Sequence, residues 1–244
     1  MQKSLFLALV SIFLIACHRP PTRVTGVTTE TIEVNALADE TADKGYISQL
    51  APIKADLERE MNVQLGYAPE RLWVGSPECP MLNWATETLL EEARRIYDGP
   101  VDIAVVNMGG MRCEWQQGPV TRGNVFELMP FDNRLVILTL KGSDVQALCQ
   151  SFATYGGQGV AGLRMKAVKG KLKEVTVGGK PLKANALYKV ATSDYLSGGT
   201  DHMEALTKYV EYHTTDSIIR DLYISAVRRQ DTIRAIVDGR MNIQ

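Results

Sequence analysis

The 244-residue sequence contains three histidines and four cysteines. No two of the cysteines stand at a Cys-x-x-Cys spacing, so nothing in it frames a zinc site. An excess of either charge is also missing. The formal net charge is −1, which leaves no broad basic face of the kind nucleic-acid binders present, and no acidic tail is found. After the first sixteen residues no apolar run is long enough to span a bilayer. There is no internal repeat, and no low-complexity tract beyond one Pro- and Thr-rich stretch near the N-terminus. The remaining composition, 45% apolar and 23% charged, is that of an ordinary globular protein. At this length it can bury a sizeable core without staples, as one large domain or two small ones.

The N-terminus opens on Met1-Gln2-Lys3 and the run SLFLALVSIFLIAC. A short basic start, an apolar stretch and small residues at its end describe a secretory signal peptide over residues 1–16. The junction Leu14-Ile15-Ala16-Cys17 resembles a bacterial lipobox, which implies that Cys17 becomes the lipidated first residue of the mature chain. Loss of Lys3 with the leader moves the net charge from −1 to −2. Residues 17–44, beginning HRPPTRVTGVTTET after Cys17, read as a flexible tether between lipid and a domain over 45–244. The chain is therefore expected on a bacterial cell envelope, on the periplasmic or outer-surface side. Cys79, Cys113 and Cys149 remain. Three is an odd number, no pairing can be deduced, and buried free thiols are expected.

Along the domain, Ile47, Leu50, Ile53, Leu57 and Met61 at helical spacing predict a helix over Tyr46–Glu60. Residues 63–74 look extended, and a second helix is predicted from Met81 to Tyr97, stopped by Asp98-Gly99-Pro100. Buried strands are expected at Val101–Val106, Arg134–Leu140 and Tyr188–Thr192. A helix is expected over Val145–Tyr155, with Ser143 as its N-cap. Gly156–Gly159 reads as a flexible loop and Gly162–Ala167 as a further strand. Gly178-Gly179 between Lys171–Val177 and Lys180–Leu182 is a hairpin signal. Two more helices are predicted, at Met203–Leu206 and Ser217–Gln230. Hairpins mixed with strand–helix steps favour an α+β fold, a mixed sheet with flanking helices.

The stretch from Val101 to Asn133 concentrates the chemistry. Glycines straight after a buried strand, in Asn107-Met108-Gly109-Gly110-Met111-Arg112, let the backbone approach a ligand closely. Asn107 and Arg112 can offer an amide and a planar donor fork to an anion. Pro130-Phe131-Asp132-Asn133 sets an aromatic on a rigid turn between polar groups. An anion fork plus a presented ring suits a ligand with a phosphate at one end and a flat base at the other. Each piece alone is also an ordinary tight turn or core position.

Taken with Tyr195 and Asp201, these segments resemble the C-terminal, substrate-binding domain of the 5′-nucleotidase family. The family's Asn-Gly-Gly-Gly-Ile-Arg motif stands here as Asn-Met-Gly-Gly-Met-Arg, its Pro-Phe-x-Asn motif as Pro130–Asn133, and its Gly-Gly-Asp turn as Gly199-Thr200-Asp201, with the Asp six residues after Tyr195. Weaker echoes are Glu78…Asn83, Leu140-Lys141-Gly142 and Asp238-Gly239-Arg240. The resemblance holds in order and spacing from about Tyr46 to Arg240. It implies that Phe131 and Tyr195 sandwich a nucleobase, that Asp201 accepts hydrogen bonds from ribose hydroxyls, and that Asn107 and Arg112 hold phosphate, with Gly109, Gly110 and Asn133 completing the substrate-binding set. Two departures stand out. Gly75 lies near the place where the family often has a phosphate-binding arginine, with Arg71 farther off, so phosphate is held more weakly or by other groups. His202 replaces a glycine after Asp201.

The family's N-terminal metallophosphatase domain holds two metals through Asp, His and Asn ligands. Here His18, His202 and His213 are the histidines, and neither an Asp-x-His nor a Gly-Asn-His-Glu run is found. The resemblance therefore implies no catalytic residue and no cofactor on this chain. The divalent metals are expected on a separate metallophosphatase partner, which two-metal hydrolysis requires. The ligand is expected to be a nucleotide or nucleoside. Other readings remain open: an envelope lipoprotein that captures nucleosides or another ligand without an enzymatic partner, or a domain kept for scaffolding.

Overall fold

The apolar run ahead of Asn107 is buried on both faces. Strand β2 (Ile103–Val106) sends Ile103 and Val105 into one core and Ala104 and Val106 into another. Strand β4 (Arg134–Lys141) does the same, with Leu135 and Ile137 on one side and Val136, Leu138 and Leu140 on the other. A strand covered on both faces needs apolar residues at consecutive positions, which is why these segments read as unbroken runs. Each of the fully buried leucines and isoleucines contributes about 1.5–3 kcal/mol by leaving water.

The computed structural model describes residues 23–33 and 42–244. The expected signal peptide and the lipidation site at Cys17 lie outside the described residues. Residues 23–33 have no regular structure and are exposed. The chain divides between Leu50 and Ala51 into two units. Helix α1 (Lys44–Met61) runs across that division. The helix expected from the spacing forms, but none of its residues is buried, and Ile53 and Leu57 are exposed. Its apolar stripe thus fixes the helix period without covering a core. Glu60 at its end takes an ion pair from Arg122 at 3.1 Å.

In the larger unit, β1 (Gln64–Ala68) pairs antiparallel with β3 (Gly118–Thr121). Helix α2 (Pro80–Ile96) leads to β2, and α3 (Arg122–Leu128) leads to β4. Helix α4 (Gly142–Tyr155), β5 (Gly159–Ala161), β6 (Leu163–Val168), β7 (Lys171–Val177), β8 (Lys180–Pro181) and β9 (Leu187–Ser193) follow. After a single-turn α5 (Asp194–Ser197) come β10 (Glu211–Ile218), α6 (Ile219–Gln230) and β11 (Met241–Ile243). The central sheet has the order β10-β4-β9-β2-β5, and a second sheet the order β11-β6-β7-β8. Both are mixed: β2 runs parallel to β9 and β11 parallel to β6, the other pairs being antiparallel. Helices α2 and α6 pack on one face of the central sheet, and α4 with the second sheet fills the other. The fold is α+β with mixed sheets and flanking helices, as expected.

Several details differ from expectation. Helix α4 starts at Gly142 behind Lys141 without a side-chain cap, so Ser143 is not its N-cap. The backbone N–H groups of Gly142 and Ser143 instead donate to the carbonyls of Ala186 and Ala184. Gly159 begins strand β5 rather than closing a loop, and the helix expected at 203–206 is a 3-10 turn over Glu204–Lys208. Helix α6 begins at Ile219 because the residues before it form β10 at the sheet edge. The hairpin at Gly178-Gly179 forms, with φ of 56° and 74°, the pair of positive values that a tight two-residue turn demands. Cys79, Cys113 and Cys149 are free thiols. Burial pushes all three upward in pKa, Cys149 to about 12, so they stay protonated and unreactive at neutral pH.

Candidate functional site

Topology brings three distant segments to one edge of the central sheet. Parallel strands β2 and β9 end on the same side, delivering Asn107 and Tyr195 just beyond. Antiparallel β4 begins there, because Leu135 pairs with Ser193, so Asn133 enters from the same side. The carboxyl ends of parallel strands are where open sheets present their loops to ligands. In this protein that edge carries a cleft of about 350 Å³. Its lining is Asn107, Gly109, Gly110, Arg112, Phe131, Asn133, Tyr195 and Asp201. All eight residues singled out in the sequence therefore meet in one cavity.

The glycine segment is held from several directions. Residues 108–110 make one 3-10 turn behind Asn107. A side chain at Gly110 would bring a Cβ within 2.6 Å of Asn107 Oδ1, so only glycine lets the amide lie against this turn. The Met108 N–H donates to Gln158 Oε1 at 2.6 Å. Asn107 is nearly buried, and its Nδ2 donates to the Asp201 carboxylate. That contact links the segment after β2 to the segment after β9. Arg112 Nη1 donates to the Gly109 carbonyl at 3.0 Å, and its guanidinium lies 5.5 Å from the centre of the Phe131 ring. The fork is thus aimed by backbone and by ring, with donors left over for an anion.

Phe131 is half-buried and Tyr195 is exposed. The Phe131 loop is tied down by a residue the sequence reading missed. Arg220, in the first turn of α6, donates from Nη1 to the Phe131 carbonyl at 3.1 Å and from Nη2 to Asp132 Oδ1 at 2.5 Å. Its guanidinium also lies 4.3 Å from the centre of the Phe126 ring. The Ile219 N–H donates to the Asn133 carbonyl at 2.9 Å. Some ninety residues separate Arg220 from the loop it holds, and no local pattern marks it. Gln158 escaped for the same reason.

The weaker sequence echoes fall elsewhere. Asn83 Nδ2 donates to buried Glu78 Oε1 at 2.7 Å and to the Ile236 carbonyl. Glu78 in turn accepts from the Asp238 and Met241 N–H groups. These residues fasten the C-terminal segment and do not line the cleft. Arg71 does not line it either, and pairs with Glu114; that hydrogen bond, helped by the Val74 N–H, holds the Glu114 carboxyl below its ordinary pKa. A second cleft of similar volume lies beside Glu87, Arg94, Arg164 and Asp238. Its Arg164 and Asp238 are bound to each other at 2.6 Å. Among the described residues no three His, Cys, Asp or Glu side chains gather as a metal centre would require. His213 packs edge-on against Tyr97, and His202 stacks on Tyr155. These residues do not fit a dimetal site, and no hydrolytic step is assigned to them.

The chain is also similar to known proteins. A family model described as "5′-nucleotidase, C-terminal domain" matches residues 68–208. A 5′-nucleotidase of Vibrio cholerae is 23% identical over 191 residues, covering 76% of this chain and 34% of that protein. A 5′-nucleotidase of Vibrio vulnificus is 31% identical over 119 residues, 47% of this chain and 22% of that one. The crystal structure of a 5′-nucleotidase precursor from Thermus thermophilus superposes with a TM-score of 0.72 at 22% identity, over 84% of this chain and 44% of that chain. The chain spans about a third of the length of the Vibrio cholerae, Yersinia enterocolitica and Escherichia coli relatives it matches. By its sequence, its fold and the motifs gathered at one sheet edge, this chain belongs to the 5′-nucleotidase C-terminal domain family.

Proposed function

We propose that this protein is the nucleotide-binding half of a split 5′-nucleotidase. It positions base, ribose and phosphate for a separate metallophosphatase chain, and is held on the bacterial envelope through lipid at Cys17. The observation that carries the reading is the single cleft lined by Asn107, Arg112, Phe131, Tyr195 and Asp201. Two rings at its wall suit a flat base, and stacking tolerates any base, so several nucleosides are accepted. The Asp201 carboxylate takes ribose hydroxyls, and Asn107 and Arg112 take phosphate. Holding a substrate in one orientation beside a reacting centre is itself a large part of catalysis, and that is the part assigned here.

The test is co-purification with a metallophosphatase encoded beside it, assayed on AMP with divalent metal. The pair releases phosphate and this chain alone does not. Robust release by the metal-loaded chain alone, abolished by Arg112→Ala, contradicts the split arrangement. Nucleoside binding without any release by the pair favours a capture lipoprotein instead. On the purified chain, Arg112→Ala lowers the preference for AMP over adenosine by about 10- to 100-fold, the worth of one charge-assisted phosphate contact. Calorimetric titration of both ligands measures it, and an unchanged ratio removes Arg112 from the phosphate site.

A further inference from the structure

Asp201 and His202 form a pair of consecutive non-glycine residues in left-handed backbone, with φ of 54° and 62°. L side chains visit this region rarely, and two in succession persist only when the surroundings hold them. The turn has partial support from its own segment: Thr200 Oγ1 donates to the Tyr195 carbonyl, and the Met203 N–H to the Thr200 carbonyl. The rest comes from helix α4. Ser151 Oγ donates to the His202 carbonyl at 2.5 Å. One turn on, Tyr155 lies flat against the His202 ring, with centroids 3.7 Å apart and planes 5° from parallel. Residues four apart share a helix face, so α4 grips His202 by main chain and ring together. Neither Ser151 nor Tyr155 lines the cleft. The neighbour that this grip fixes, Asp201, does line it and is bonded to Asn107.

We infer that Ser151 and Tyr155 are positioning residues that, by clamping His202, hold Asp201 in the left-handed conformation that aims its carboxylate at the ribose. The inference rests on the reading of Asp201 as the ribose contact. It also accounts for histidine at a place where a glycine would need no clamp, since glycine enters left-handed backbone freely.

Two measurements on the full chain test it: titration of adenosine against 2′,3′-dideoxyadenosine, and NMR order parameters of residues 201 and 202 without ligand. The wild type prefers adenosine by about 10- to 100-fold, the worth of hydrogen bonds to a charged carboxylate. Tyr155→Ala loses about tenfold of that preference, and its 201–202 backbone loosens. Tyr155→Phe keeps the ring and keeps both properties. Tyr155→Ala/His202→Gly recovers part of the preference, because one of the two strained side chains is gone. A Tyr155→Ala chain with intact preference and a rigid turn overturns the inference, as does a double variant no better than Tyr155→Ala. Equal binding of the two nucleosides by the wild type removes the ribose role from Asp201 and so the positioning role, while the order parameters still report whether the clamp holds the turn.

Discussion

Replacing Phe131 and Tyr195 together by alanine lowers the affinity of the chain for adenosine by about 10²- to 10⁴-fold, with the fold intact. Each ring–base contact is worth about 1–3 kcal/mol, and the two rings are the flat surfaces lining the cleft. Both side chains reach solvent, Tyr195 at 49% exposure, so neither truncation opens a large hole in the core. The single changes differ in kind. Phe131→Ala also removes the ring beneath the Arg112 guanidinium, freeing the phosphate fork, and so costs AMP more than adenosine. Tyr195→Ala leaves Arg112 untouched and costs the two ligands equally. Titration of both ligands against the three variants separates these effects. A double variant that binds as tightly as wild type would mean that the cleft does not sandwich a base, and the scaffolding reading would stand.

Arg240→Met destabilises the domain by about 3 kcal/mol, seen as a fall in Tm of roughly 6–12 °C for a unit of this size. The guanidinium is almost wholly buried and binds Asp238 through Nε at 2.9 Å and Glu87 through Nη2 at 2.5 Å. Methionine fills the space, but it leaves the partly buried Asp238 with only the more exposed Arg164 as a cationic partner and Glu87 without its buried one. Burial pulls the Asp238 pKa upward; the Arg240 hydrogen bond, the Arg240 charge and the Arg164 charge outweigh it and hold the carboxyl below its ordinary value of 3.8. A depressed acid stabilises the fold above its unfolded pKa, and that contribution disappears as pH falls through the lower folded value. The gap between wild type and Arg240→Met is therefore full at neutral pH and narrows below pH 3.8. Thermal unfolding at about pH 7 and about pH 3 measures it. Equal Tm values at neutral pH would show that the Asp238–Arg240 pair does not fasten the C-terminal segment.

What the sequence disclosed follows from range. Strands buried on both faces, such as Ile103–Val106 and Arg134–Lys141, announce themselves by unbroken apolar residues. Helix α2 is legible from its period and its Asp98-Gly99-Pro100 stop. Turn chemistry pointed to the Asn107–Arg112 and Pro130–Asn133 segments, and the family resemblance joined Tyr195 and Asp201 to them; all eight residues line one cleft. Strand β10 was not, because its outer positions are exposed and polar, leaving no alternation to read in Glu211–Ile218. The Ser143 cap failed because the first N–H groups of α4 are met by distant backbone carbonyls at Ala184 and Ala186. Arg220, Gln158, Ser151 and Tyr155 act on loops far away in sequence. The apolar stripe of α1 gave its helix correctly through its period, and its side chains face solvent.

The most direct measurement is a crystal structure of the chain soaked with AMP. The account predicts adenine between the rings of Phe131 and Tyr195, the ribose hydroxyls on the Asp201 carboxylate and the phosphate within reach of Asn107 and Arg112. A base bound anywhere else, or a phosphate held away from Arg112, would contradict it.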